Sequence, residues 1–178
     1  LNSRLTVLMA KLSAVLSKFV PSKVISCSMK AAEVHQAIGY RKEKFVVIPN
    51  GYDLEKLKYS ESSRSIYREK WGVKNDEFLF GMIGRWTPLK DHRNLFTAIS
   101  ILRKSSTVKF RCALVGSSID KDNDDLTSLI DEFGIADYVL LTGPVSDVSV
   151  PLSGFDALVL PSAGEAFPNV VAEAMACC

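Results

Sequence analysis

The sequence predicts an α/β protein built on a Rossmann-like, doubly wound parallel sheet, and three observations predict it. Short β-branched and aromatic runs alternate with helical patterns of about 10 to 15 residues along most of the chain. Most of these runs end in Gly, Pro or Asn, the residues that stop a strand and turn the backbone. A hydrophobic content of 47% in 178 residues is enough to cover a sheet on both faces.

The elements follow in order. Residues 1–20, LNSRLTVLMAKLSAVLSKFV, read as an amphipathic helix in which Arg4, Lys11 and Lys18, seven apart, form one polar stripe among Leu, Val, Met and Ala. KVISCS is a short strand, MKAAEVHQAIG a helix closed by Gly39, and EKFVVIPNG a strand ended by Pro49. Residues 51–75 are polar, with no sustained apolar period before SIYREKWG, and read as a linker holding a short helix. A second alternation then begins with strand EFLFGMIG, helix HRNLFTAISILRKS capped by Asp91, strand KFRCALVG and helix DDLTSLIDEFG. Strand YVLLTG, an irregular turn, strand DALVLPS and helix PNVVAEAMACC complete it. The expected organisation is a first piece over 1–48, a linker over 49–75 and a Rossmann-like domain over 76–178.

Composition removes several function classes. Lys and Arg total 22 against 20 acidic residues, and a scattered net charge of +2 builds no nucleic-acid surface. Cys27, Cys112, Cys177 and Cys178 lack metal-ligand spacing and read as reduced thiols of a cytoplasmic protein. The opening stretch looks superficially like a signal peptide, but Lys11 and Lys18 interrupt it and the apolar run is too short for a bilayer. Its helix either packs on its own domain or rests a basic edge on anionic lipid at the inner membrane face. The chain opens on Leu1 and stops inside a helix, so it reads as a piece of a longer protein.

In a doubly wound sheet, ligands bind beyond the carboxyl ends of the strands, so the residues there carry the chemistry. In GMIGRWTPLKD, Gly81 and Gly84 thin the end of a strand, and Arg85 and Lys90 follow before a helix. Two cations at that mouth, with helix amides behind them, suit a diphosphate; a solvated surface loop is the plain alternative. In GEAFPNVVAEAMA, Pro168 suits the first turn of a helix, which puts Glu165 in the loop ahead and Glu173 about one and a half turns inside. A carboxylate at such a place accepts hydrogen bonds from vicinal hydroxyls, while the amides of Phe167, Asn169 and Val170 are expected to face the crevice unpaired. Macrodipole complementarity for Glu165 and an outer-face position for Glu173 are the competing accounts.

Together, GRWTPLKDHRNLFTAI, PSAGEAFPNVVAEAMAC and VIPNGYD resemble the retaining, nucleotide-sugar-dependent glycosyltransferases of the GT-B fold, from about Val24 onward. The E-x7-E pair Glu165 and Glu173, joined to Arg85 and Lys90, is the specific part of the match. The resemblance implies that Arg85 and Lys90 grip the donor diphosphate and stabilise the leaving group, that Glu165 contacts the donor sugar, and that Glu173 holds the ribose. It also implies that Ala166, Phe167, Pro168 and Asn169 present backbone to sugar and phosphate, and that Gly84 lets the phosphates approach. Asn50, Gly51 and Asp53 match the PNGxD that joins the two domains.

On that resemblance the fold is an incomplete GT-B C-terminal domain preceded by a remnant of the N-terminal, acceptor-binding domain. The parent enzyme would transfer a sugar, with retention, from a nucleoside-diphosphate donor to a glycan or lipid-linked acceptor in polysaccharide or cell-surface glycan synthesis. The present chain would be inactive alone. No cofactor or metal is implied; Asp122–Asn123–Asp124 fits a D-x-D metal string of another glycosyltransferase fold but reads here as a helix cap. His35 and His92 read as ordinary, Trp71 as linker packing and Trp86 as a loop anchor or a nucleotide contact. A nucleotide-sugar 2-epimerase of similar fold and a non-catalytic nucleotide-binding fragment are the alternatives.

Overall fold

The computed structural model describes residues 4–177. Two compact units divide the chain, one of residues up to Gly51 together with Glu165–Asn169, the other of Tyr52–Gly164 with the residues from Val170 onward.

The first unit contains α1 (Arg4–Leu16), β1 (Val24–Ser26), α2 (Met29–Ala37) and β2 (Phe45–Val47). The small side of α1 faces inward: Ala14 and Ser17 are buried, and the Ser17 hydroxyl donates to the Ala14 carbonyl at 2.6 Å while accepting from the Arg41 amide at 3.3 Å. Leu5, Leu8, Met9, Leu12, Val15 and Leu16, one stripe at helical spacing, remain exposed. The helix ends at Leu16, so Lys18 belongs to the turn that follows rather than to the stripe of Arg4 and Lys11; residues 1–3 of the expected helix lie outside the described residues. Ser28 caps α2 by accepting from the Ala31 amide at 3.1 Å, and Gly39, at φ +107°, takes the backbone out of it. β1 and β2 are parallel, with Val24 opposite Phe45.

The second unit holds α3 (Glu61–Lys70), β3 (Phe78–Ile83), α4 (His92–Ser105), β4 (Phe110–Val115), α5 (Asp124–Phe133), β5 (Val139–Leu141), α6 (Ser149–Gly154), β6 (Ala157–Leu158) and most of α7 (Asn169–Ala176). Its sheet is wholly parallel, in the order β5-β4-β3-β6. Side chains alternate along β4: Phe110, Cys112 and Leu114 enter a core with α4 and α5, while Ala113 and Val115 enter another with Leu152 and Phe155. Both faces are therefore covered, as near-continuous apolar strands in a parallel sheet require.

In the second unit α3, α6 and β6 differ most from the sequence reading. α3 starts at Glu61, four residues before the expected short helix, because the Ser60 hydroxyl accepts from the Ser63 amide at 3.2 Å and carries the polar ESS turn into the helix. The stretch read as an irregular turn after β5 holds α6, nucleated where Asp147 Oδ1 accepts from the Ser149 amide at 2.9 Å and the Ser149 hydroxyl at 2.7 Å; Pro151 sits in its first turn, where no amide donor is needed. β6 is reduced to two residues by Pro161 and by pairing on β3 alone, although Asp156 N and Val159 N continue the bonding to Leu79 O and Gly81 O at 2.8 Å.

α3 is fastened to the base of this sheet. Arg64 reaches Asp156 Oδ1 at 2.6 Å, Arg68 reaches Oδ2 at 3.1 Å, and Oδ2 also accepts from the Leu79 amide at 2.7 Å. Arg68 spends its other donors on the carbonyls of Gly154, Lys74 and Glu77, so this buried guanidinium is well satisfied.

Candidate functional site

At the carboxyl ends of β3, β4 and β5 stand three glycines, Gly84, Gly116 and Gly143, joined by backbone hydrogen bonds. Gly84 N donates to Val115 O at 2.8 Å and Gly116 N to Gly143 O at 2.9 Å. Gly116, at φ +154°, must lack a side chain, since a Cβ there would lie 2.1 Å from Gly84 O. Beside Gly84 the space is filled by the stem of Lys90, whose Cε lies 3.1 Å from where a Cβ would stand. The side of Gly84 on which a Cβ would stand is thus taken by the side chain of the second cation.

The loop that carries the two cations is held on several sides. Trp86 N donates to Ser117 O at 3.1 Å and Ala163 N to Leu89 O at 3.0 Å. A 3-10 turn covers Pro88–Lys90, and Asp91 follows in the left-handed region at φ 48°, its carboxylate capping α4 by accepting from Asn94 N at 3.3 Å. Arg85 is exposed and has no ion-pair partner among the described residues. His92, the first residue of α4, is 3% exposed, and burial and then the nearby Lys90 charge push its pKa down to about 4.

The other expected residues fall into both units. Glu165, Ala166, Phe167, Pro168 and Asn169 belong to the first, where the Ser28 hydroxyl donates to Ala166 O at 2.7 Å and Asn50 Nδ2 donates to Asn169 Oδ1 at 2.7 Å. Ser28 therefore acts at the start of α2 and on the glutamate loop, a pairing across 138 positions that no local pattern signals. The Asn169 amide, expected to be unpaired, donates instead to Phe167 O at 3.0 Å in a three-residue turn about Pro168, whose fixed φ favours that turn. α7 begins one residue after Pro168 rather than at it.

Val170 and Glu173 lie on the part of α7 in the second unit. Val170 is buried. Glu173 is half-buried, and burial raises its carboxyl above the usual 4.5, unlike a fully solvated position on an outer helix face. The phenol of Tyr52 is raised first by burial and then by the Glu173 charge, so a tyrosine the sequence reading passed over stands within electrostatic reach of that carboxylate. His35 is exposed, with Nδ1 2.7 Å from the Ala31 carbonyl. Asn123 caps α5 by accepting from the Leu126 amide at 3.2 Å, as read from sequence.

Over residues 63–178 the chain matches the family model described as glycosyl transferases group 1. The chain belongs to this family. A relative in Escherichia coli, UDP-Gal:alpha-D-GlcNAc-diphosphoundecaprenol alpha-1,3-galactosyltransferase, is 28% identical over 131 residues, 74% of this chain and 34% of its own length. The D-inositol 3-phosphate glycosyltransferase of Paenarthrobacter aurescens (strain TC1) is 29% identical over 157 residues, 86% of this chain and 38% of its own. Anabaena HepE, crystallised in complex with UDP and glucose, superposes with a TM-score of 0.85 at 27% identity over 96% of this chain and 46% of HepE. The chain thus spans under half the length of the relatives it matches, and its parallel α/β architecture is that of the GT-B fold expected from sequence.

Cys27 and Cys112 are free thiols, Cys112 being buried with its pKa pushed up to about 12; Cys177 is buried, and Cys178 lies outside the described residues. Among the described residues no group of three His, Cys, Asp or Glu side chains could hold a metal ion, and no helix is long and apolar enough to cross a membrane.

Proposed function

We propose that the protein is a retaining glycosyltransferase that takes a sugar from a nucleoside-diphosphate donor, a UDP-sugar by its likeness to HepE, and delivers it to a glycan or lipid-linked acceptor. One observation carries the reading: an exposed cation, Arg85, without an ion-pair partner among the described residues, and a second, Lys90, laid across Gly84, at the carboxyl end of a central parallel strand where such sheets bind ligands. On this reading Arg85 and Lys90 hold the diphosphate and offset the charge that grows on it as the glycosidic bond breaks. Glu173 accepts from the ribose hydroxyls and Glu165 from those of the sugar, while Ala166, Phe167, Pro168, Asn169 and Val170 shape the loop and helix start around them. The two cations supply the positive charge, so the proposal invokes no metal.

Residues 1–48 are proposed as the end of an acceptor-binding domain and 49–75 as the passage to the donor domain. The outward apolar stripe of α1, edged by Arg4 and Lys11, supports peripheral contact with an anionic membrane from the cytoplasmic side. Sedimentation with anionic vesicles at low salt tests that contact, and its absence in the full-length protein removes it.

Calorimetric titration of the full-length protein with UDP, GDP and ADP tests the donor site. Saturable binding of UDP, weakened by about 1–3 kcal/mol in Glu173→Ala, is the expected result. Unchanged UDP affinity in Glu173→Ala would remove that residue from the site, and no binding of any nucleotide would overturn the reading.

A further inference from the structure

His92 is buried, titratable and unused by the proposed transfer, and its Nε2 has no hydrogen-bond partner among the described residues. A buried ring nitrogen without a partner is costly, so its place needs a reason. Its ring lies 4.7 Å from that of Trp86 and 6.3 Å from that of Phe96, which is fully buried and in turn 6.3 Å from Phe133. A ladder of rings therefore runs from the cation loop into the core between α4 and α5.

The two upper rungs are the two ends of that loop. Trp86 directly follows Arg85, and His92 stands two residues after Lys90, so the ring contact closes residues 86–92, which hold Lys90 and have Arg85 joined to one end. Inside the closure, Pro88 limits one φ, Lys90 N donates to Thr87 O at 3.0 Å, and Asp91 holds the left-handed conformation that a non-glycine residue adopts at a cost. A cavity of about 180 Å3, lined by Thr87, Pro88 and Leu129 among others, adjoins the ring pair. Truncating either ring would leave the loop room to collapse into it.

We infer that Trp86 and His92 are positioning residues whose ring contact fixes the separation of Arg85 and Lys90 to suit a diphosphate. The inference rests on the donor-site reading above. A fixed pair of cations matters for two linked phosphates and little for one, so its signature is the preference for a diphosphate over a monophosphate rather than affinity or stability as such.

The test is calorimetry of the full-length protein with UDP and UMP, for Arg85→Ala, His92→Ala, Trp86→Ala, His92→Phe and Ile99→Val. Ile99, buried further along α4, reports lost packing alone. The expected result is a preference for UDP over UMP about tenfold smaller in His92→Ala and Trp86→Ala, restored in His92→Phe, and unchanged in Ile99→Val despite a lower melting temperature. If Arg85→Ala lowers UDP affinity but the two truncations keep the wild-type ratio, the positioning role is wrong and the donor site stands. An equal fall of the ratio in Ile99→Val would also overturn it, as general loosening. If Arg85→Ala leaves UDP affinity untouched, the donor-site reading fails first.

Discussion

Lys90 rests its aliphatic stem against Gly84, with Cδ 3.2 Å and Cε 3.1 Å from the point where a side chain on that residue would begin. Glycine here serves the reach of a lysine. In Gly84→Ala the added methyl meets the far part of a flexible side chain, so Lys90 yields and the fold survives. Thermal stability should stay nearly level, while UDP affinity falls about fivefold, roughly 1 kcal/mol, as the ammonium is displaced. Calorimetry and a melting curve on one sample separate the two effects; a large stability loss with unchanged affinity would contradict them.

Gly81 gives the opposite outcome from the same substitution. A Cβ there would lie 1.9 Å from two ring carbons of Phe155, and that ring is buried and stacked 5.8 Å from Trp71. The Phe155 ring would have to swing off its stacking partner to admit the methyl, so Gly81→Ala should destabilise by about 3 kcal/mol, the upper end for overpacking. Urea unfolding measures it, and a double variant with Phe155→Leu should recover part of the loss, because the two residues share one contact.

How much of this could be read from the sequence follows from how local each signal is. The strands β3 and β4 and the helices α4 and α5 carry their own apolar periods, and the caps Asp91 and Asn123 sit next to the helices they start, so these were legible. The α6 helix has six residues, too few for a periodic pattern, and its start depends on Asp147. The positions of Arg85 and Lys90 after a strand were legible, whereas the stem of Lys90 on Gly84, Ser28 bonded to Ala166 and Tyr52 near Glu173 arise from chain segments brought together by folding. His92 looked ordinary because a helix start says nothing about what lies beneath it.

Asp156 should govern acid stability in the second unit. Burial alone would raise its pKa, but the Leu79 amide and the Arg64 and Arg68 guanidiniums outweigh that and hold it below the ordinary 3.8. A folded-state pKa below the unfolded one gives stability that is complete above the unfolded value and is lost as pH falls through the folded one. Asp156→Asn removes that dependence and leaves two arginines without their carboxylate, at a cost of about 3 kcal/mol. Urea midpoints between neutral and acid pH should converge for the wild type and the variant; parallel curves would assign acid unfolding elsewhere.

Glu173 has the reverse shift, and its consequence falls on binding. Burial raises its carboxyl above 4.5, so the fold is relieved of a buried charge as pH drops, while on the proposed donor reading the ribose would lose its acceptor over the same step. Donor affinity should therefore be full above the raised folded value and decline as pH falls through it, sooner than an ordinary glutamate would allow. The terminal phosphate of UDP itself titrates at about pH 6, which confounds a single curve. Glu173→Gln carries that phosphate titration without the carboxylate, so the difference between the two pH profiles isolates Glu173. At neutral pH the variant should bind UDP about 1.5–3 kcal/mol more weakly, and the gap should narrow on acidification. A gap that stays constant with pH would mean that Glu173 supports the helix rather than the ribose.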